Sequence, residues 1–318
     1  MEKITVDILL STYNGEVYLL ELLESLSSQT FSDWRLIVRD DGSNDHTLRI
    51  LKQFEETSGH SVRIIDSAMN IGPCRSFLEL LSYSDASYVM FCDQDDVWLP
   101  NKIQCLLGIV TKWEENHSKD VPVLVHSDLS VVDSSLRIIS PSFWRYQKIN
   151  SKRNQLHQLL VQNNVTGCSL LMNRKLADLT QTAEEGIIMH DWWVGIIASA
   201  FGVILYTDDK TVMYRQHDNN DTGAHLFFSF HYVLQNMIGL NFILSAIRTI
   251  EQANVFVRLY SIHLKKQQLE VVEDYALLLK QNLLKRVLSC LKHRFCKDSF
   301  IRNIGFIIAI LIMREERT

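Results

Sequence analysis

Tyr88-Val89-Met90-Phe91-Cys92-Asp93-Gln94-Asp95-Asp96 is the stretch that decides the fold of this 318-residue chain. Its first five residues are apolar and suit a buried β-strand. Three carboxylates follow almost at once, and such charges are costly near a core unless something neutralises them. A divalent cation shared with a phosphate-bearing ligand would neutralise them. The alternative is an acidic turn that caps a helix beginning near Pro100.

The chain before this stretch alternates between strand-like and helical segments. The β-rich runs 4–10, 34–39 and 62–65 are each followed by apolar residues at helical spacing, and a helix opens at Pro73. Such alternation predicts parallel strands joined by right-handed crossovers. We therefore expect an α/β fold whose ligands bind beyond the carboxyl ends of the strands.

Polar residues follow three of these predicted strands. Ser11-Thr12-Tyr13-Asn14 follows the first strand, Asp40-Asp41-Gly42-Ser43 the second, and the acidic stretch the fourth. Because the ends of parallel strands meet at one edge of a sheet, the pattern predicts one site there and favours a functional acidic cluster over a cap. Neither a GxGxxG fingerprint nor a GxxxxGK[ST] P-loop occurs in the sequence.

Beyond residue 120 the alternation loosens. Strands are predicted at 121–132, 167–172, 202–206 and 211–214, with a helix that ends near Ala200. The aromatic and basic segment 141–150 is predicted to be a loop that could fold over a ligand. The order of elements in this half is less regular than in the first.

The C-terminal part differs from the rest in charge and in pattern. Residues 225–318 carry 13 Lys and Arg against 7 Asp and Glu, a balance of +6, so the other residues balance at −11. We predict a catalytic domain at 1–224 and a helical region at 225–318. From Lys280 to Arg302, basic residues and leucines recur at helical spacing, which favours a membrane-surface helix. A solvated face on a packed helical pair is the alternative.

Composition restricts the location and the partners. The net charge of −5 excludes a generic nucleic-acid binder. Six cysteines without a CxxC pair indicate reduced thiols, and the N-terminus shows no signal peptide. The apolar segments 192–207 and 304–313 are short for a membrane span. We expect a cytoplasmic protein, peripheral on the inner face of the cytoplasmic membrane. The oligomeric state cannot be predicted from these features.

The strand-end motifs together resemble family 2 of the nucleotide-sugar glycosyltransferases, which are inverting enzymes of the GT-A fold. Five motifs carry the resemblance in the family's order and spacing: 11–14, 29–31, 40–45, 70–72 and 93–100. His190-Asp191-Trp192-Trp193 and Arg215-Gln216-His217 add weaker support. The acidic stretch together with Tyr214-Arg215-Gln216-His217 is similar to bacterial rhamnosyltransferases of surface polysaccharide. Ser11, where many relatives have proline, is a departure of small consequence because the backbone does much of the work there.

The resemblance implies a fold and a reaction. The fold would be a Rossmann-like, mostly parallel sheet flanked by helices, with a C-terminal helical extension. The reaction would transfer L-rhamnose from dTDP-rhamnose, with inversion, to a hydroxyl of a lipid-linked saccharide. One alternative is hexosyl or N-acetylhexosaminyl transfer from a UDP-sugar. The other is a carbohydrate-binding relative without catalysis, which the presence of Asp93, Asp95 and Asp191 argues against.

The donor nucleotide is expected at the first two strand ends. Tyr13 offers an aromatic face to the base, and the Asp41 carboxylate can accept from a pyrimidine N–H. The resemblance adds Ser11, Asn14 and Gln94, while Arg75 is placed to reach the diphosphate. The alternatives are a helix cap for Asp41 and a surface position for Arg75.

The leaving diphosphate is expected to be neutralised by Mg²⁺ or Mn²⁺. By resemblance Asp95 binds the metal, and Asp93 binds the metal's water shell or the ribose. His217 is a further candidate ligand, or equally a structural histidine.

The acceptor is expected near the second group of motifs. Asp191 is the predicted base, because aromatic neighbours would raise the pKa of its carboxyl. Further candidate acceptor contacts are Asp96, Trp98, His190, Trp192 and Trp193. The alternatives are a capping role for Asp96 and Asp191 and a core position for the tryptophans.

Overall fold

Apolar strands and amphipathic helices alternate through the first half of the chain, as predicted. The structure, a computed structural model, describes residues 5–65, 67, 69–181, 184–217 and 241–313. The first elements are β1 (Val6–Thr12), α1 (Leu19–Ser27), β2 (Trp34–Asp40), α2 (Thr47–Thr57), β3 (Ser61–Ile65), α3 (Pro73–Leu80) and β4 (Tyr88–Asp93). Pro73 occupies the first turn of α3, where its missing N–H costs nothing.

The rest of the described chain adds five strands of two to thirteen residues and the remaining helices. The strands are β5 (Val97–Trp98), β6 (Val123–Val132), β7 (Ile138–Ser140), β8 (Leu170–Asn173) and β9 (Val203–Arg215). The helices are α4 (Lys102–Glu114), α5 (Phe143–Gln147), α6 (Leu156–Leu159), α7 (Arg174–Thr180), α8 (His190–Phe201), α9 (Asn241–Tyr260), α10 (Lys266–Ala276), α11 (Leu283–His293) and α12 (Phe300–Ile312).

One sheet joins all nine of these strands, in the order β3-β2-β1-β4-β8-β6-β9-β5, with β7 on β6. The strands β3, β2, β1 and β4 are parallel, whereas β8 runs antiparallel between β4 and β6. In this register Ser11 pairs with Asp93, and Thr12 with Asp40. The polar ends of β1, β2 and β4 therefore meet at one edge, which confirms the predicted mostly parallel sheet.

Three predictions for the second half need correction. Residues 203–206 and 211–214 belong to the single strand β9, whose register against β6 shifts near Asp128, and Gly202 is the C-cap residue of α8. The predicted strand at 167–172 begins instead with a 3₁₀ turn, Gly167–Ser169, that leads into β8. The segment 141–150 is no lid, because Phe143 and Trp144 are buried in the core beside β6. Burying their apolar area outweighs leaving them exposed over a cavity.

The hydrophobic core has two layers, one on each face of the sheet, because successive strand residues point to opposite faces. Leu9 and Phe91 lie in one layer, which also contains Phe256 of α9 and Phe306 of α12. The C-terminal helices thus share a core with the sheet, and the domain boundary predicted after residue 224 lies outside the described residues. All six cysteines are free. Within the described ranges, no helix is long and apolar enough to cross a membrane.

Candidate active site

A cavity of about 540 Å³ opens at the carboxyl edge of the sheet. Its wall is formed by residues from the ends of β1, β2 and β4, the turn at Gly167 and the start of α8. The predicted site residues that it brings together are Ser11, Tyr13, Asn14, Asp41, Asp93, Gln94, Asp95, His190, Asp191 and His217.

The loop after β1 is held open toward the cavity by hydrogen bonds. The backbone N–H and carbonyl of Tyr13 bond the side-chain amide of Gln94 at 2.9 and 3.0 Å, so the Tyr13 ring stays 46% exposed. Asn14 has a φ of 47°, a left-handed conformation that asparagine tolerates, and its side chain accepts from Asn44 N–H. Ser11 Oγ donates to Ser76 Oγ at 2.8 Å. An aromatic ring is therefore available to a ligand.

Asp41 is buried and its carboxylate already has several donors. It accepts from Ile71 N–H at 2.9 Å and Gly72 N–H at 2.8 Å, and it pairs with the buried guanidinium of Arg39. Asp41 therefore holds the segment before α3 against the end of β2. It does not cap α2, whose N-cap residue is His46.

The carboxylates after β4 are in a different situation. Burial, Asp95 and Asp191 together raise the pKa of Asp93 to about 7. Asp96 is fully buried, and burial with Asp95 and Asp93 raises the pKa of its carboxyl well above the usual range. Asp96 accepts from Arg215 N–H at 3.1 Å. The negative charge at this edge is thus incompletely compensated by the protein.

A buried lysine beneath the cluster was not predicted. Lys102, in the first turn of α4, is 0% exposed, lies 3.0 Å from the Trp98 ring centroid and donates to Cys168 O at 2.5 Å. Burial lowers the pKa of its ammonium to about 8, opposed by the nearby acidic groups, which include Asp96 and Asp93. Lys102 is the internal counter-charge of the cluster. Its position after Pro100 gave no hint of this, because a lysine at a helix start is usually solvated.

His217 lies at the same end of the site. Its Nε2 is 2.8 Å from a carboxylate oxygen of Asp95, and its ring stacks on Tyr18 with centroids 4.9 Å apart. The Arg215 guanidinium covers the Tyr18 ring, pairs with Glu21 and donates to Asp95 O at 2.7 Å. The contacts made by Tyr18, Glu21 and Arg215 were not predicted, because α1 and β9 are far apart in sequence.

Asp191 lies in the first turn of α8, whose N-cap residue is Met189. Its carboxylate accepts from Trp192 N–H at 2.6 Å and Gly167 N–H at 3.1 Å, with a further bond from the Asn163 side chain. Burial outweighs these bonds and raises the pKa of Asp191 to about 6. A carboxylate with this pKa at the wall of the cavity is suited to accept a proton near neutral pH.

His190 also faces the cavity but is 4% exposed. Its ring packs between Phe77 and Phe91, with centroids 4.1 and 4.8 Å away. Burial lowers the pKa of the imidazole to about 3, so it is neutral at physiological pH. Its Nε2 lies close to Gly167, where a Cβ would approach to 2.8 Å, so a side chain at residue 167 would displace the ring.

Five predicted site residues do not line this cavity. Trp98 and Trp193 are buried in the core at 1% and 0% exposure and cannot stack on a sugar. Trp192 is partly buried and donates from Nε1 to Leu159 O at 2.6 Å. Asp96 lies behind the wall and is no helix cap, because α4 is preceded by Asn101. Arg75 lines an adjacent cavity and faces Glu185 at 3.3 Å.

The donor set fits a hard divalent cation. Asp93 and Asp95 present carboxylates to the cavity, and a cation would relieve the repulsion that helps raise the pKa of Asp93. Within the described residues, the ligand atoms of Asp93, Asp96 and Cys168 also lie within 4.8 Å of one another. That group suits Mg²⁺ or Mn²⁺ less well, since burial keeps the Cys168 thiol protonated by raising its pKa well above the usual range.

A mostly parallel sheet with a carboxylate-lined cavity at its carboxyl edge and an antiparallel strand between β4 and β6 is the architecture of the GT-A class of sugar-transferring enzymes. The profile of Glycosyl transferase family 2 matches residues 7–180. The chain therefore belongs to Glycosyl transferase family 2 and is a glycosyltransferase, which confirms the resemblance.

Relatives of known name agree with this membership. The dTDP-rhamnosyl transferase RfbG of Shigella flexneri is 27% identical over 236 residues, which cover 70% of this chain and 76% of RfbG.

Solved structures support the fold. Residues 1–349 of TarS from S. aureus, in complex with UDP-GlcNAc, align with a TM-score of 0.54 at 14% identity, covering 96% of this chain and 90% of that one. The mannosyltransferase PcManGT of Pyrobaculum calidifontis, in complex with GDP-Man and Mn²⁺, aligns with a TM-score of 0.51 at 14% identity, covering 96% and 84%. At this identity the likeness extends to the GT-A fold.

Proposed function

We propose that this glycosyltransferase transfers L-rhamnose from dTDP-rhamnose, with inversion, to a hydroxyl of a lipid-linked saccharide in bacterial surface polysaccharide synthesis. The observation that carries the proposed transfer is the placement of Asp191 and the pair Asp93 and Asp95 in the wall of one cavity. The choice of donor is supported by RfbG, which is named as a dTDP-rhamnosyl transferase.

In the proposed reaction Asp191 accepts the proton of the acceptor hydroxyl. The oxygen then forms a bond to the anomeric carbon from the face opposite the diphosphate, and the bond from that carbon to the diphosphate breaks. The products are an inverted glycoside, a nucleoside diphosphate and protonated Asp191, which returns its proton to water. The bonds from Gly167 N–H and Trp192 N–H hold the carboxylate in place throughout.

Asp93 and Asp95, with His217 beside Asp95, would hold Mg²⁺ or Mn²⁺. A bound cation would stabilise the charge that develops on the departing diphosphate. The mannosyltransferase with GDP-Man and Mn²⁺ supports this expectation by analogy of fold. Tyr13 would stack on the nucleobase, and Asp41 would keep Ile71 and Gly72 in place beside the cavity.

The proposal is tested with the purified full chain, Mg²⁺ or Mn²⁺, and a panel of dTDP-, UDP- and GDP-sugars. We expect tightest binding and fastest nucleotide release with dTDP-rhamnose. Proton NMR of the product would give the anomeric configuration. Preference for another donor would reject the rhamnosyl assignment, and retention of configuration would reject Asp191 as the base in a single displacement. Full activity in excess EDTA would reject the metal.

Transfer from a UDP-sugar is the second candidate. It is supported by TarS, whose structure contains UDP-GlcNAc in the same fold. A UDP-sugar that binds and turns over better than dTDP-rhamnose in the same panel would favour it.

A further inference from the structure

The two last described helices expose an unusual amount of apolar surface. Ten large apolar side chains on α11 and α12 have exposed fractions between 36% at Ile304 and 80% at Phe300. We call them the α11–α12 face: Leu283, Leu284, Leu288, Leu291, Phe300, Ile304, Ile307, Ile308, Leu311 and Ile312. Exposed apolar surface of this extent on two neighbouring helices marks a binding surface more often than an accident of packing.

Loose packing of the helices does not explain this exposure. Arg286 of α11 is buried and donates to Leu278 O, Ile310 O and Met313 O at 2.9, 2.9 and 2.7 Å. The opposite side of α12 is buried through Phe306 and Ile310. One side of each helix therefore packs against the rest of the protein, and the apolar residues project from the other side.

Most of the charges carried by residues 280–313 are positive. Lys285 and Arg294 are exposed on α11 and at its end. Between residues 280 and 313, all of which are described, Asp298 is the one acidic residue, and its side chain is buried against Arg153 at 2.6 Å. Lys292 of α11 pairs with Glu270 and Asp274 of α10. Apolar side chains with mostly positive charges beside them complement an anionic lipid surface.

The length of the helices decides how they would meet the lipid. α12 has 13 residues, or about 20 Å of helix, against about 30 Å for the hydrocarbon core of a bilayer. A helix of this length cannot span the bilayer but can lie in its interface with the apolar side down. We propose that the α11–α12 face inserts into the interface of an anionic lipid bilayer.

The segment that joins the two helices also contacts the loop before the active site. Asp298 N–H donates to Gln162 Oε1 at 3.0 Å, and Asp298 accepts from Asn150 N–H at 2.8 Å. The next residue, Asn163, bonds Asp191. Docking at this face would therefore bring the predicted base near the lipid surface. The purpose of docking rests on the proposed lipid-linked acceptor, whereas the binding of the α11–α12 face to lipid does not depend on it.

Vesicle co-sedimentation of the full chain tests the proposal. We expect binding to vesicles of phosphatidylcholine with phosphatidylglycerol, and weaker binding to phosphatidylcholine alone. The variant Leu284→Ser/Leu288→Ser/Leu291→Ser should weaken the partition coefficient by about 10- to 100-fold. Lys285→Glu/Arg294→Glu should weaken binding only to the anionic vesicles.

The matched control is Leu20→Ser/Ile138→Ser/Ile262→Ser, which changes three exposed apolar residues elsewhere. It should bind like the wild type. Equal binding of both triple variants, or no binding by the wild type, would overturn the proposal. Light scattering that shows a dimer broken by the α11 variant would assign the face to a second copy and also overturn it. Nucleotide release from dTDP-rhamnose, measured without vesicles, tests the proposed function separately.

Discussion

Paired carboxylates follow two strands of the same sheet, and the groups that surround the two pairs differ. After β2, Asp40 accepts from Thr12 Oγ1 and Ser43, while Asp41 is held by Arg39 and two backbone N–H groups. After β4, Asp93 and Asp96 keep raised pKa values, which the buried Lys102 opposes for Asp93 and hydrogen bonds from Cys168 and Arg215 N–H oppose for Asp96.

The difference separates a scaffold from a reactive site. Carboxylates saturated with donors hold loops together, and their loss is felt as lost stability. Carboxylates with too few donors have residual charge to offer a ligand, and perturbed pKa values concentrate at functional sites for that reason. Asp191 also has a perturbed pKa, of about 6, because burial outweighs its hydrogen bonds.

The largest effect is expected at Asp191. Asp191→Asn keeps an acceptor for Trp192 N–H but removes the base, so kcat should fall by about 10²- to 10⁴-fold with donor affinity unchanged. In the wild type kcat/KM should fall about tenfold per pH unit below pH 6, as Asp191 becomes protonated. Steady-state kinetics and donor titration measure both. Asp120→Asn, at an exposed ion pair with Lys175, is the control.

The next largest effect is expected at Lys102, the buried counter-charge of the acidic cluster. Lys102→Met leaves the buried acidic groups without their internal cation and should lower the free energy of unfolding by about 3–5 kcal/mol. Adding Asp96→Asn removes one of the buried carboxyls that raise the pKa of Lys102 and should restore part of the loss. Urea denaturation measures both variants. A loss under about 1 kcal/mol for Lys102→Met would show that the ammonium does not stabilise the cluster.

A third pair of variants tests the comparison directly. Asp41→Asn weakens the bonds to Arg39, Ile71 N–H and Gly72 N–H and should cost about 1–3 kcal/mol of stability. Asp95→Asn should lower activity with Mg²⁺ or Mn²⁺ by more than Asp41→Asn, at a smaller cost in stability. Urea denaturation and turnover, measured on the same preparations, give the loss of stability and the loss of activity for each variant. A larger loss of activity for Asp41→Asn, with a larger loss of stability for Asp95→Asn, would exchange the roles that we assign to the two strand ends.

The last effect is a gain in stability that depends on pH. The pKa of Asp191 is raised in the folded protein, so its contribution to stability is full below pH about 4 and is lost as pH rises through about 6. Asp191→Asn should therefore raise the free energy of unfolding by about 1–3 kcal/mol at pH 7.5 and leave it unchanged near pH 3.5. An equal change in the free energy of unfolding at both pH values would show that ionisation of the Asp191 carboxylate does not destabilise the folded protein.

The sequence allowed the first half of the fold to be predicted because periodicity is local. Each strand from β1 to β4 is a short apolar run that ends at polar residues, and each helix between them shows its own spacing. The second half was less predictable. The sequence predicted two strands where the structure has the single bulged strand β9. The register shift within β9 is set by its pairing with β6, which the local sequence does not show.

By itself the sequence determined the parallel half of the sheet, the edge at which its polar ends gather and the family to which the chain belongs. Tertiary structure decided which carboxylates are satisfied, because several of their partners lie far away in sequence. Lys102 bonds Cys168, and Gly167 bonds Asp191. It also decided which side of α11 and α12 remains uncovered, since the spacing of apolar residues marks a helix face but not what packs against it.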